Sequence, residues 1–284
     1  MATFFNQASF TLGTTVTNSN IAEGEILSGV EITKSAVNQS YSQGSSIVYT
    51  VNISGIGAGA TDGITLTDDL GAYIPLGATD AVVPLDYVDG SLLYYQNGAL
   101  QPTPTVVSGP PLTISALSLP AGGNITLVYE ARANAFAPLG AGECITNTAT
   151  ATVGGNESSA SARVCAEERV NLSIAKAICP AVVSENGIIT YTFIVQNTGN
   201  LEVLATDNAS LADTFNPILS DISVTLNGEP LSEGVGYEYD EATGVFRTLD
   251  GAISIPAATF IRDTASGAVT VNPGVAVITV TGRV

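Results

Sequence analysis

The sequence predicts an all-β fold, and three features of the 284-residue chain indicate it. Short runs rich in Thr, Val and Ile alternate with Gly, Asn, Asp and Pro, which is the pattern of short strands joined by turns. No stretch shows the 3.6-residue period of an amphipathic helix. Hydrophobic residues make up 45% of the chain, enough to supply two cores at this length.

The chain contains two internal repeats. When Lys34 is aligned with Lys176, Tyr49 falls on Tyr191 without a gap. Later segments match in the same order: 66–70 with 211–215, 95–98 with 225–228, and 120–128 with 272–280. The second of these matches holds an Asn-Gly pair in both repeats, which predicts a two-residue hairpin turn. Repeats of short strands at this spacing predict two immunoglobulin-like sandwiches in tandem.

Four short motifs mark the repeats: a Lys near the first strand, a Tyr-Thr strand that ends in Asn-Thr-Gly, a Thr-Asp-x-Leu strand and a terminal Asn-Thr-Ala strand, which the second repeat lacks. They are Lys34, Tyr49-Thr50, Thr67-Asp68-Asp69-Leu70 and Asn147-Thr148-Ala149 in the first repeat, and Lys176, Tyr191-Thr192, Asn197-Thr198-Gly199 and Asp213 in the second. From about residue 28 to 284 the chain resembles the bacterial surface repeat catalogued as domain of unknown function eleven. The first repeat departs from that family with Ser54-Gly55 in place of Asn-Thr-Gly. The resemblance implies no activity.

The two repeats differ in their last strands. The first continues through a predicted hairpin at 144–168, whereas the second reaches Val284 before any such hairpin. Residues 5–13 run in parallel with 146–154, so the N-terminal segment resembles the hairpin that the second repeat lacks. We therefore expect an N-terminal donor segment at 1–27, a first domain at 28–168 and an incomplete second domain at 169–284.

The spacing of two Asn residues indicates where the N-terminal segment binds. Asn147 precedes the next repeat's Lys176 by 29 residues, and Asn6 precedes Lys34 by 28. The segment therefore stands where the end of a preceding domain would stand, and in a head-to-tail assembly that domain belongs to another copy. Strand alternation gives this segment one face, which we call the donor face: Phe4, Asn6, Ala8, Phe10 and Leu12. The alternative is a strand that folds back on its own first domain.

The only two Lys residues of the chain occupy the same repeat position, on strands whose alternate residues are apolar. Strand phase places Lys34, Asp68 and Asn147 on inward faces of the first repeat. An inward Lys, acid and Asn can form an intramolecular isopeptide bond, because desolvation frees the amine as a nucleophile. The same residues could instead form a buried Lys–Asp ion pair with an Asn hydrogen bond.

The second repeat has Lys176 and Asp213 but no Asn at the position of Asn147. The donor face supplies Asn6, which aligns with Asn147. We therefore expect Asn6 of one copy to meet Lys176 of the next, with Asp213 as the acid.

The three Cys residues suggest one disulfide. If Gly154-Gly155 forms a two-residue turn, counting outward places Cys144 opposite Cys165, where a cross-strand disulfide can form. Cys179 is left over, and it could be free or link subunits.

Composition excludes several functions. The formal net charge of −18, with eight Lys and Arg, disfavours nucleic acid as a partner. Without His, Ser-His-Asp catalysis is excluded. The acidic groups at 68–69 and 238–241 could bind Ca²⁺, but such groups are typically solvated loop charges. We expect no metal, no cofactor and no enzymatic activity on an external substrate.

No apolar run is long enough to insert in a membrane, and residues 1–6 lack the features of a signal peptide. The composition nevertheless favours an extracellular or cell-surface protein. The sequence thus predicts a structural subunit of a self-assembling filament whose partner is another copy of itself. The alternative is a monomeric adhesin or binding stalk of immunoglobulin-like domains.

Overall fold

The computed structural model describes residues 2–26, 29–57, 59–264 and 266–284. It separates into two compact units, the first comprising Met1–Ala137 and Cys144–Cys165 and the second Pro138–Glu143 and Ala166–Val284. Both are built from β-strands, which confirms the all-β class and the tandem sandwiches. The boundary expected between residues 27 and 28 lies outside the described residues.

The N-terminal segment forms a long antiparallel hairpin. Its strands are β1 (Ala2–Asn6), β2 (Ser9–Leu12), β3 (Thr15–Asn18) and β4 (Ala22–Ile26). Strand β1 pairs with β4 and β2 with β3, so the chain reverses at Gly13-Thr14. Among the described residues these four strands pair only with one another. The hairpin is therefore not a strand of either sandwich.

The first unit is a sandwich of two sheets. Its strands are β5 (Val30–Ala36), β6 (Ser40–Tyr41), β7 (Ser46–Gly55), β8 (Thr61–Asp68), β9 (Leu85–Tyr87), β10 (Leu93–Gln96), β11 (Ala99–Gln101), β12 (Thr105–Val107), β13 (Leu112–Leu119), β14 (Asn124–Ala133), β15 (Cys144–Val153) and β16 (Asn156–Ala166). Within the described residues, one sheet has the order β11-β10-β14-β7-β5, with β9 also paired to β14. The other has the order β12-β13-β8-β15-β16-β6. Alternate residues of both sheets are buried between them.

The second unit repeats part of this plan. Its strands are β17 (Leu172–Cys179), β18 (Ile188–Asn197), β19 (Ala212–Thr214), β20 (Ser220–Leu226), β21 (Glu229–Leu231), β22 (Tyr237–Asp240), β23 (Val245–Thr248), β24 (Thr259–Arg262), β25 (Val269–Asn272) and β26 (Gly274–Arg283). One sheet has the order β17-β18-β26-β20-β21, a second the order β19-β23-β22, and β24 pairs with β25. The core is centred on aromatic rings, with Phe215 stacked on Tyr191 and close to Phe246. No described strand of this unit corresponds to β15 or β16.

Both predicted Asn-Gly turns are present. Asn97-Gly98 joins β10 to β11, and Asn227-Gly228 joins β20 to β21. All four residues have positive φ, as the hairpin turn with the right-handed strand twist requires. These turns set the register of the strands that follow them.

Residues 138–143 group with the second unit, although the repeats assign them to the first. The reason lies in Asn200, whose side-chain amide donates to the backbone oxygens of Leu139 at 3.0 Å and Glu167 at 3.0 Å. The backbone of Ala166 also donates to Glu143 at 2.8 Å. These hydrogen bonds link residues 138–143 to the second unit, although the repeat alignment assigns them to the first.

Candidate functional site

A buried ion pair lies at the centre of the first sandwich. Lys34 alternates with Val30 and Ile32 on the inner face of β5, and Asp68 ends β8 on the inner face of the opposite sheet. The Lys34 Nζ lies 2.6 Å from Asp68 Oδ2, and both side chains are completely shielded from solvent. Asp68 Oδ1 also accepts a hydrogen bond from the Leu70 backbone at 2.9 Å. Strand phase therefore brings the two predicted residues into direct contact.

Two tyrosines complete the surroundings of this pair. The Tyr129 hydroxyl donates to Asp68 Oδ2. The Lys34 Nζ lies 4.8 Å from the ring centroid of Tyr49 and 6.0 Å from that of Tyr129. The sequence does not predict the role of Tyr129. The structure places it directly opposite Tyr49 in the β7–β14 ladder.

Asn147 is buried without a hydrogen bond. It is fully shielded on the inner face of β15, and neither Oδ1 nor Nδ2 has a partner of normal geometry. By contrast, the equally buried Asn197 uses its amide for bonds to the backbones of Asn171, Gly199, Leu201 and Pro256. A buried amide without partners is costly, so Asn147 needs an explanation beyond folding.

Burial shifts the ionisation of this cluster. Desolvation lowers the pKa of Lys34 from its ordinary value, although the charge of Asp68 opposes the shift. Desolvation also raises the pKa of Tyr129 and of Tyr49, and the adjacent Asp68 charge adds to it. The amide of Asn147 is close enough to both phenols to offset part of this increase, though no regular hydrogen bond forms. The site thus combines an amine whose pKa is lowered, a carboxyl group in contact with it and an amide without a regular hydrogen bond.

The second unit carries the same pair in an open setting. Lys176 and Asp213 form an ion pair, but their side chains are 42% and 20% exposed. The Lys176 Nζ lies 4.7 Å from the Tyr191 centroid, as Lys34 does over Tyr49. The strand that would supply the Asn is missing from the described part of this unit. Lys176 therefore lies on the inner face, as expected, but it is not buried as Lys34 is, because no described strand covers that face.

The inner face of β17 is uncovered along its length. Leu172 and Ile174 are 48% and 58% exposed, whereas their counterparts Val30 and Ile32 are 5% and 8% exposed. The residues are of the same type, so the difference comes from the covering strands. We call this face and the adjoining edge of β19 the acceptor groove.

The edge of β19 opposite β23 pairs with no described strand, although the Thr214 backbone amide donates to Asp213 Oδ1 at 3.0 Å. The backbones of Leu211 and Phe215 bond toward β23, through Thr248 and Gly244 respectively. Alternate residues of a strand point their hydrogen-bonding groups to opposite sides, so Ala212 and Thr214 face away from β23. In the first unit the corresponding side of β8 pairs with β15.

The donor face is exposed in the N-terminal hairpin. Phe4, Asn6, Ala8, Phe10 and Leu12 all lie in contact with solvent. The residues that align with them on β15, namely Ile145, Asn147, Ala149, Ala151 and Val153, are buried or half-buried. Two segments of similar sequence thus differ in whether a sandwich covers them.

The structure joins Cys144 and Cys165 in a disulfide, with an S–S distance of 2.05 Å. These residues face each other in the β15–β16 ladder. Cys179 is a free, exposed thiol at the end of β17.

The described residues bring no three potential metal-binding side chains together. The acidic groups at 238–241 have local partners: Glu238 pairs with Arg247 at 2.6 Å, and Asp240 accepts bonds from Ala242 and Thr243. No described helix has the length and apolarity that crossing a lipid bilayer requires.

No family model and no curated protein sequence matches the chain. Among solved structures, the major pilin subunit of Bacillus cereus shares 13% identity at a TM-score of 0.34, over 96% of this chain and 73% of that one. The pilus backbone protein of Streptococcus pneumoniae shares 9% at 0.33, over 86% and 55%. The major pilin of Corynebacterium diphtheriae shares 12% at 0.33, over 86% and 59%, so this chain spans little more than half of the last two. We therefore infer function from the chain's own residues.

Proposed function

We propose that this chain is the structural subunit of an extracellular filament, in which the donor face of one copy fills the acceptor groove of the next. The observation that supports this most directly is the matched pair of exposed surfaces. The second unit leaves uncovered the face that β15 covers in the first, and the N-terminal hairpin carries a β15-like sequence that no sandwich covers.

The apolar contacts favour docking. Full burial of Phe4, Phe10 and Leu12 would contribute about 1.5 to 3 kcal/mol each, or roughly 4.5 to 9 kcal/mol together. Leu172 and Ile174 of the groove would be buried at the same time. The donor segment is already a hairpin, so less conformational entropy is lost than for a flexible tail. A free strand edge beside an apolar face is also a surface that proteins normally cover.

The order of segments favours an open chain of subunits. Strand β4 ends four residues before β5, which tethers the hairpin within about 14 Å of its own first unit. In the order of the repeats, the N-terminal hairpin occupies the place of the last hairpin of a preceding unit. A contact between different surfaces of successive copies builds a filament, or a ring if the rotation between copies closes.

Covalent ligation is the second part of the proposal. Lys34 first transfers its ammonium proton to Asp68, and the neutral amine then attacks the Asn147 side-chain carbonyl carbon while the Asp68 carboxyl donates a hydrogen bond to the oxygen. One proton of the attacking amine passes to the amide nitrogen of Asn147, the carbon–nitrogen bond of that amide breaks, ammonia leaves, and a new amide joins the two side chains. The lowered pKa of Lys34 and the buried amide of Asn147 support this reaction.

The same chemistry between copies would make the filament one covalent chain. Docking would bring Asn6 to the position that Asn147 occupies in the first unit, beside Lys176 and Asp213, and would remove Lys176 from water as Lys34 already is. The disulfide Cys144–Cys165 fits an extracellular or cell-surface site, since such bonds persist in oxidising surroundings. The proposed role is structural and involves no external substrate.

Electron microscopy of the purified protein tests assembly. We expect fibres whose axial repeat contains two units, and we expect deletion of residues 1–14 to abolish them. If the truncated protein forms the same fibres, strand donation is wrong. Dispersed monomers from the full chain would instead support a monomeric adhesin or binding stalk.

Denaturing electrophoresis and intact mass test ligation. Boiled, reduced fibres should give a ladder of multimers, with a mass loss of about 17 Da per bond from the departing ammonia. Asn6→Ala should collapse the ladder to monomer and retain the mass loss at Lys34. Asn20→Ala, at another exposed Asn of the hairpin, serves as the control and should leave the ladder intact. Wild-type monomers of unchanged mass would leave only the ion pairs.

A further inference from the structure

The first strand of the N-terminal hairpin and β15 share their sequence and the distance of their Asn from the turn. Asn6 lies six residues before Leu12, which pairs with Thr15 at the turn. Asn147 lies six residues before Val153, which pairs with Asn156. Each Asn is therefore held at the same distance from the end of its hairpin.

The second strands of the two hairpins also correspond. Asn6 faces Ala22 across the ladder, and Asn147 faces Ala162. Directly opposed residues share a face, so Ala22 lies on the donor face as Ala162 lies in the core. A small side chain thus stands opposite the reactive amide in both hairpins.

Further from the turn, the two hairpins differ in the sizes of their paired residues. Phe4 faces Gly24, where the first unit has Ile145 facing Val164. The Phe4 ring lies over Gly24, where a Cβ would come within 2.4 Å of the ring. The N-terminal hairpin also contains a one-residue β-bulge that β15–β16 lacks. Asn6 pairs with Ala22 and Ser9 with Asn18, so an advance of three residues on the first strand is matched by four on the second.

The acceptor unit contains an unpartnered counterpart of β6. In the first unit β16 pairs with β6, whose Tyr41 is buried. The ungapped alignment of the repeats places residues 40–41 on 182–183. Val183 packs partly buried against the core of the second unit, while Val182 is 88% exposed and belongs to no described strand.

From these matches we infer that the donated element is the whole hairpin, and that its second strand pairs with residues 180–183 of the acceptor copy. This inference rests on the proposed head-to-tail assembly and adds a second contact surface to it. The first strand lies between β19 and the second strand, as β15 lies between β8 and β16. The second strand then covers the edge that a single donated strand would leave open.

Peptide binding to a full chain that cannot donate tests this arrangement. Phe10→Asp removes donation and leaves the acceptor groove unchanged. Peptide 2–26, the hairpin, should bind this variant at least about tenfold more tightly than peptide 2–13, its first strand. Val182→Glu in the acceptor should remove this advantage, because it places a negative charge on the edge that the second strand, with Glu23 and Glu25, would cover. Val235→Glu is the control, at a position 78% exposed elsewhere in the same unit.

An isolated hairpin is only marginally stable in water, so assembly of the full chain provides a second measurement. Val182→Glu should raise the critical concentration for fibres about tenfold over Val235→Glu. If the two peptides bind equally and Val182→Glu has no effect, a single strand is donated and the inference is wrong, although strand donation stands. If neither peptide binds and the full chain forms no fibres, both proposals fail.

Discussion

Replacing Phe10 by Ala tests whether the donor face drives assembly. Phe10 lies on this face, and Phe5 lies on the opposite face of the same hairpin. The two are 71% and 66% exposed in the free chain, so they differ in direction rather than in exposure. The β15 counterpart of Phe10 is the buried Ala151, and that of Phe5 is the exposed Thr146. Phe5→Ala is therefore a matched control.

The size of the effect follows from the exposed fraction of Phe10. Truncating a fully buried Phe to Ala costs about 3 to 5 kcal/mol. Since about seven tenths of the Phe10 side chain is available for burial, we expect a loss of roughly 2 to 3.5 kcal/mol. That corresponds to a roughly 30- to 300-fold weaker contact between copies, by the usual conversion of about 1.4 kcal/mol per tenfold change.

The assay must measure the noncovalent contact. Both substitutions are therefore made in an Asn6→Ala background, where ligation between copies cannot hide a weakened interface. Sedimentation of fibres from monomers gives the critical concentration of each variant. We expect Phe10→Ala to raise it by the factor above and Phe5→Ala to change it less than about threefold. Equal effects of the two substitutions would refute the assignment of the donor face.

Three further perturbations have expected outcomes. Ile174→Asp should abolish fibres by placing a charge in the acceptor groove, whereas Ala175→Asp, on the other face of β17, should not. Fibres from both variants would contradict the assignment of this face as the acceptor groove. Tyr129→Phe should lower unfolding stability by about 1 to 3 kcal/mol at neutral pH, through the lost bond to a buried carboxylate. Because the pKa of Tyr129 is raised on folding, the stability it contributes is complete below pH of about 10 and is lost as pH rises further, so chemical unfolding should show a smaller alkaline loss in the variant than in the wild type. Replacing both Cys144 and Cys165 by Ser should cost about 3 kcal/mol in the same assay, as expected for a bridge that closes a loop with a sequence separation of 21; an unchanged stability would show that the bridge does not constrain the unfolded chain.

Much of the candidate site follows from strand alternation alone. Lys34 lies in phase with apolar residues of its strand, and so does Asp68, and their burial in contact agrees with that phase. The Gly154-Gly155 turn sets the count that brings Cys144 opposite Cys165. In each case the determining information lies within a single strand or hairpin, where a period of two residues leaves only two faces to choose between.

Other features depend on which distant strands meet. The bond from Tyr129 to Asp68 joins residues of different sheets, and nothing in either local pattern specifies that partner. The bulge in the N-terminal hairpin likewise does not follow from the sequence parallel between residues 5–13 and β15, because it lies in the second strand of the hairpin.

Strand periodicity is enough to place Lys34 and Lys176 on the inward faces of their repeats. It does not show that Lys34 is enclosed in a core while Lys176 lies in an open groove. Alternation specifies the face on which a side chain lies, whereas burial depends on whether another strand covers that face. Strands β15 and β16 cover it in the first unit, and no described strand covers it in the second.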